Sequence, residues 1–448
     1  MMLDMLINSD TLPRAASNKT AMLAMLIFLL SSPLLLAQIQ SSNLYSSGSI
    51  YSAYGIGYPV EMETGSAKSH GIFGVTSVNQ EVSGLTNPAF WSQTYYTQGA
   101  SGIGLHSIQL KNTSSSGETA LFEKGYLQLL FPLRSSELGV SVGLYPVTRS
   151  NLKIINEEQF LSYGDTVGYN SELQQMGGLN KFEIGVGWKV NDQISIGYAP
   201  SVAFFSMETS EAFSFSSSLY SQQKQKLTIS GAAFSQRLGV AGSFRNVFKT
   251  QDKISVGATI NVPFSMTLRQ DFTTEKEIES GSKTVDLSNI LTSKKGEMSL
   301  PLEYAAGIGY APHTRFNVSI EGQYQQWSDY INDLVDNDGA IMADRMRIGL
   351  GAQFHPYKKA QNGFFSSFKY SAGLSYDSGH LTIQEEEIRT LWLHTGLGIL
   401  SQSPSSIDVS VRYGFRGTTE SNLIQENIWA IGLSVNLAEI MFLRPKLQ

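Results

Sequence analysis

The sequence predicts an all-β protein, a 14-stranded antiparallel transmembrane β-barrel with an N-terminal hatch plugging the lumen. Three observations carry this expectation. Apolar and polar residues alternate with period two along most of the chain. The connections between these runs are alternately long and short, as in outer-membrane barrels. Charged residues make up only 16% of the 448, while the chain has 41 glycines, 23 Phe, 20 Tyr and 5 Trp; this is too much apolar content for disorder and too little charge for an ordinary soluble domain.

Other classes fall away on composition. A net charge of -6 is at odds with a basic nucleic-acid-binding surface. The absence of cysteine removes disulfide frameworks, thiolate metal sites, cysteine nucleophiles and a lipidated N-terminal cysteine.

From the N-terminus, Arg14 and Lys19 precede the apolar run Ala21 to Leu30, then Ser31-Ser32-Pro33 and Leu34 to Ala37. A basic flank, a short apolar stretch and a small final residue describe a signal peptide over 1–37, so the mature chain is expected to begin near Gln38. The alternative, an uncleaved anchor, is disfavoured by the run's length and its polar break. Residues 38–94 are Ser/Gly-rich and weakly periodic, containing Tyr54-Gly55-Ile56-Gly57 and Asn87-Pro88-Ala89-Phe90-Trp91. So long a stretch without strong periodicity suits a segment buried in another structure, and the lumen of a barrel this wide needs a plug.

The barrel is expected over 95–438, with a tail over 439–448. Strands are expected near 95–110, 120–133, 137–148, 180–190, 193–206, 227–244, 253–268, 301–311, 315–327, 344–356, 365–377, 389–400, 407–416 and 427–438. In the fourth, Phe182, Ile184, Val186 and Trp188 share one face, and Lys181, Glu183, Gly185 and Gly187 the other. A soluble sandwich also alternates, but its outer face would carry Lys and Glu, whereas here the polar face is mostly Gly, Ser, Asn and Gln. Tyr95, Tyr96, Trp188, Tyr310, Tyr324, Trp327, Tyr376 and Trp429 lie near strand ends, where an interfacial girdle belongs. In the first strand the apolar phase changes at Ser107, which suggests a bulge there.

The Tyr-Gly-x-Gly start, the Asn87-Pro88-Ala89 tripeptide, Gly177-Gly178-Leu179-Asn180, Leu300-Pro301-Leu302 and Trp327-Ser328 occur in an order that resembles the FadL-type outer-membrane transporters. Arg412 to Thr418 with Leu423 to Glu426 resembles the closing hairpin of Bacteroidota and Chlorobi relatives. The C-terminus departs from that pattern, since Phe442 is followed by Leu443 to Gln448. The resemblance implies passive uptake of hydrophobic, long-chain-fatty-acid-like molecules across the outer membrane. Loops 149–179 and 269–300 would then capture ligand through Phe160, Leu161, Tyr163, Tyr169, Met176, Leu287, Ile290 and Leu291. A movable hatch would follow, with Asn87, Pro88, Ala89, Gly55 and Gly57 as its gate. The partners implied are the hydrophobic ligand, outer-membrane lipid and lipopolysaccharide, and the barrel assembly machinery; no nucleic acid, cofactor or metal is expected. The alternative is a FadL-like structural or secretion-assisting barrel that scaffolds cargo. A continuous apolar lumen would favour transport, and a lumen filled by side chains would favour the scaffold.

Enzyme chemistry is weak. Gly139-Val-Ser141-Val-Gly143 fits the hydrolase elbow pattern but lies in an alternating strand, without the required strand-turn-helix context. The histidines at 70, 106, 313, 355, 380 and 394 lack metal-ligand spacing. Asp336-Asn337-Asp338-Gly339 lacks the first acidic residue of a calcium loop and reads as a turn, and Glu385-Glu386-Glu387 as a solvated run.

Overall fold

The computed structural model describes residues 47–76, 84–162, 165–217, 219–278, 281–285, 294–335, 339–356, 364–400 and 405–439. The expected signal peptide, Tyr163, Leu287, Ile290, Leu291, Asp336 to Asp338 and residues 440–448 of the expected tail lie outside them, while Glu439 belongs to the last strand.

The barrel forms as the alternation predicts. Its fourteen staves, in chain order, are β2 (Thr97–Lys111), β3 (Ser116–Arg134), β4 with β5 (Leu138–Pro146, Thr148–Ser162), β6 (Asp165–Lys189), β7 (Ile194–Phe215), β8 (Gln223–Arg245), β9 with β10 (Lys253–Asn261, Phe264–Ile278), β12 with β13 (Lys295–Leu300, Glu303–His313), β14 (Phe316–Gln325), β17 (Arg345–Phe354), β18 (Phe368–Asp377), β21 (Thr390–Leu400), β22 (Ser406–Arg416) and β23 (Gln425–Glu439). All pair antiparallel, and β23 closes on β2 from Thr97↔Glu439 to Lys111↔Gln425. Proline marks two of the interruptions, Pro263 between β9 and β10 and Pro301 between β12 and β13, where a missing N–H cannot serve the ladder.

Phe182, Ile184, Val186 and Trp188 are exposed on the outer wall, while Lys181 and Glu183 are buried inside, so the predicted register holds. Three expectations need correction. Over their described residues the segments 149–179 and 269–300 are not loops: β5, β6, β7, β8 and β10 run on as paired strands, with β11 (Gly281–Val285) folding back on β10. Their polar side chains concealed the strands, because above the bilayer neither face must be apolar. The irregularity in the first strand lies at Gly102, between Ser101 and Ile103, and not at Ser107. The phase change arises because Ile108 turns its apolar side chain into the lumen against Trp392, Ile428 and Ala430. Trp327 is not a girdle residue; it is buried with Tyr330 and His380.

A candidate functional site in the lumen

The hatch enters at a break in the wall. Strands β3 and β4 pair from Arg134↔Leu138 to Leu127↔Leu144, but the ladder does not continue to β5. Hatch residues take the place of the missing partner. Strand β1 (Tyr58–Pro59) pairs antiparallel with Arg149 and Thr148 of β5, and the Val60 N–H donates to the Val147 carbonyl at 2.8 Å. Further up, the Gly48 N–H donates to the Asn151 carbonyl at 2.5 Å, and the Thr119 hydroxyl of β3 donates to the Ser47 carbonyl at 2.8 Å. Gly57, at φ +92°, permits the contact, since a Cβ there would lie 2.5 Å from the Arg149 carbonyl carbon. Gly55 is likewise left-handed, at φ +60°, in the turn that precedes it.

Within the half of the lumen nearer the long connections, the hatch is held by charge. Glu61 pairs with Arg412 of β22 and, at 3.2 Å, with Arg347 of β17. Glu63 lies 2.9 Å from the same Arg347, which stacks over Phe73 of the hatch. Lys68, on the short helix α1 (Gly65–His70), pairs with Glu123 of β3 at 3.2 Å. Glu426 of β23 accepts from the Ser49 hydroxyl at 2.8 Å and the Ile50 N–H at 3.0 Å, and is paired to Arg416. Glu321 of β14 accepts the N–H groups of Phe73, Val75 and Thr76 at 2.7, 3.1 and 2.7 Å. Every one of these hatch-to-wall bonds is buried or nearly so, and cutting one side of such a pair leaves a charge out of water. The two hatch carboxylates titrate in opposite directions. Burial and the neighbouring Glu61 push Glu63 up to about 7. Burial acts on Glu61 too, but Arg412 and Arg347 outweigh it and hold that carboxyl well below the usual range.

Near the short turns the attachment uses no charge. Asn87 is fully buried and caps the turn Pro88–Gln93: its side-chain oxygen accepts the Ala89 N–H at 3.0 Å. Its amide nitrogen donates to the Val75 carbonyl within the hatch at 3.0 Å and to the Val240 carbonyl of β8 at 3.1 Å. Beneath this elbow the wall is lined by Gly187, Gly197, Gly239 and Gly257. A Cβ at Gly187 would lie 2.5 Å from the Pro88 carbonyl oxygen and 2.7 Å from the Ser92 nitrogen. The elbow therefore rests backbone on backbone, with Trp91 buried beside Leu130 and Ala199.

Two cavities of about 90 and 80 Å³ share Pro59 and Val60 as a common wall. The larger is lined by Ile108, Trp392 and Ile428 together with Glu61, Glu123, Arg412 and Arg416; the smaller by Lys181, Glu63, Glu303, Arg345 and Arg347.

Of the residues expected to capture ligand, Phe160 and Tyr169 come together, 5.9 Å apart, in an aromatic cluster with Phe213 and Phe215 of the extended strands and Tyr220 of the connection after β7. Leu161 and Met176 are exposed on the opposite face of those strands, since adjacent strand residues alternate. Ser141 is a buried strand residue that accepts from the Gln128 amide at 3.0 Å. Glu385 forms the turn of a small hairpin between β19 (Leu381–Ile383) and β20 (Glu386–Glu387). No group of three or more His, Cys, Asp or Glu suited to a metal occurs among the described residues. Sequence reasoning singled out the elbow but missed the carboxylates Glu61, Glu63 and Glu321; the only available signal was a charge amid uncharged neighbours, in the hatch for the first two and on a strand for the third.

A family model described as BamG matches residues 22–448. The chain belongs to the BamG family. No curated protein matches it. Among solved structures, this BamG-family chain is similar in fold to a Pseudomonas aeruginosa FadL homologue (TM-score 0.56, 10% identity, covering 85% of this chain and 99% of that one). It is also similar to the Ralstonia pickettii toluene transporter TbuX (0.55, 12%, 84% and 98%) and the Pseudomonas putida toluene transporter TodX (0.53, 13%, 86% and 99%). The barrel is thus of the FadL type, as the sequence motifs implied.

Proposed function

We propose that this BamG-family protein is a permanently plugged FadL-type barrel that serves as a scaffold in the outer membrane, working through its outer surfaces and not through its lumen. One observation carries the reading: the described residues of the hatch are tied to the wall by buried ion pairs and by backbone packing on glycines. A transporter of fatty-acid-sized molecules needs a site of roughly 300 Å³ or more, largely apolar. The cavities beside Pro59 and Val60 are several times smaller and edged by charge. The family designation, BamG, points to the barrel assembly machinery as the partner class.

A second reading, uptake of hydrophobic compounds through a moving hatch gated at Asn87, Pro88 and Ala89, draws on the toluene transporters of like fold and on the aromatic cluster around Phe160 and Tyr169. The two differ in flux and in company. The scaffold reading expects the protein to be recovered from mild-detergent extracts with an assembly-machinery subunit. It also expects proteoliposomes carrying the purified protein to take up labelled palmitate no faster than empty ones. Saturable palmitate uptake by the purified protein alone would overturn it.

A further inference from the structure

We infer that the outer wall over β6–β9 holds one phospholipid with an anionic headgroup, drawn from the periplasmic leaflet. The wall there is dented by a groove of about 490 Å³. Its sides are Trp188, Ile196, Tyr198, Leu238, Val240 and Ile260, and Ala258 sits among them as the smallest outward side chain. The cause is local: around Ala258 the neighbours facing out are large, and the intervening wall residues facing in, Gly197 and Gly239, have no side chain at all. A dent of this volume on the membrane face is filled by a chain, because an unfilled apolar hollow forfeits its dispersion contacts.

The groove's depth and the charge below it select the occupant. Val240 pairs with Ala258, and the β8–β9 turn begins five residues further along, after Arg245↔Lys253. At ~3.3 Å per residue that is ~16 Å along the strand, and less in depth once strand tilt is included. The hydrocarbon half-thickness is ~15 Å, so the groove lies in the leaflet on the short-turn side, within acyl reach of that turn. The turn is rigid, with Asp252 accepting the N–H groups of Val247, Phe248 and Lys249 at 2.7, 2.9 and 3.0 Å. It exposes Phe248, which stacks edge-on to Tyr310 at 6.0 Å, as an interfacial aromatic does.

Arg245 and Lys249 stand exposed at this rim, and among the described residues neither enters an ion pair. The neighbouring rim cations differ: Arg134 is paired with Glu137 and Lys189 with Asp192. The turn's own carboxylate, Asp252, is buried and spent on backbone N–H groups. The rim below the groove therefore offers two uncompensated cations to a phosphate, with an apolar slot above them. Lipopolysaccharide is the wrong occupant for this end of the barrel, since it would have to approach from the long-loop side.

The test is native mass spectrometry of the full-length mature protein with dioleoylphosphatidylglycerol or dioleoylphosphatidylcholine added in detergent, after unboiled gel mobility confirms each variant is folded. We expect one phosphatidylglycerol to be retained in preference to phosphatidylcholine. Ala258→Trp should abolish that retention by filling the groove from the lipid side. Arg245→Gln and Lys249→Gln should each weaken it about fivefold. Equal retention of the two lipids, or retention by Ala258→Trp at the wild-type level, would overturn the assignment.

Discussion

The two halves of the hatch are fastened by opposite physics. The elbow at Asn87 to Gln93 touches the wall through backbone atoms and one amide, over Gly187, Gly197, Gly239 and Gly257. The segment from Ser49 to Thr76 adds to its backbone pairing with β5 a set of buried carboxylates and guanidinium groups, which the elbow lacks. The first kind of contact depends on shape and is indifferent to pH and salt. The second depends on every charge having its counterpart, because the Coulomb gain only offsets the cost of leaving water. The difference teaches where the plug can be loosened: at the charged half by removing one partner, at the elbow only by adding bulk.

The largest effect is expected from Arg347→Met. It strips the shared counter-ion from Glu61 and Glu63 together and should cost about 3–5 kcal/mol. The measurement is the urea midpoint at which the folded band is lost on unboiled gels. An unchanged midpoint would show that the charged half does not hold the hatch.

Next comes the wall itself. Val186→Arg should cost about 2–4 kcal/mol if it lies near the bilayer midplane, as Val186 faces lipid. The adjacent Gly185 lies on the lumen side under Trp91, so substituting it disturbs the hatch and not the lipid face. Similar folding yields in lipid for Val186→Arg and Val186→Leu would refute the register.

The elbow is probed by Gly187→Val, which pushes a side chain onto Pro88 and Ser92. Overpacking of this kind costs about 1–3 kcal/mol. The shape argument predicts that its effect is the same at low and high salt, whereas that of the exposed pair Lys226–Glu208 fades with salt.

The smallest effect is a pH dependence. The folded-state value of Glu63 is raised to about 7 from an ordinary 4.5. Its contribution to hatch attachment is therefore complete below about pH 4.5 and is lost as pH rises through 7. Glu63→Gln should remove that decline, so the difference in urea midpoint between wild type and variant should change between pH 5 and 8. A constant difference would show that Glu63 does not titrate between pH 5 and 8 and would contradict the raised value.

The same contrast explains what could be read from the sequence. Strand number, register and the elbow were legible, because period-two alternation and Asn-Pro chemistry are local signals: Phe182 to Trp188 and Asn87 to Ala89 announce themselves. The extended strands over 149–179 were not, since Gln174 and Glu172 outside the membrane need no apolar face. Nor was the charge network, because Glu61 and Arg412 are 351 residues apart and nothing local marks them as partners. Trp327 was misplaced for a related reason: an aromatic at a strand end suits either a girdle or a lumen cluster, and only the long-range packing against His380 decides.

The central claim is that the hatch is a fixed plug, and immobilising it tests this directly. Ala89 and Phe90 of the elbow share a buried cluster with Ala241 of β8, and the chain has no cysteine of its own. In an Ala89→Cys/Ala241→Cys variant the one possible intramolecular disulfide, its formation checked by thiol titration, would lock elbow to wall. Palmitate uptake into proteoliposomes is then measured with the variant oxidised and reduced. The account predicts no protein-dependent uptake in either state. Saturable uptake in the reduced state that oxidation abolishes would contradict it and make the hatch a gate.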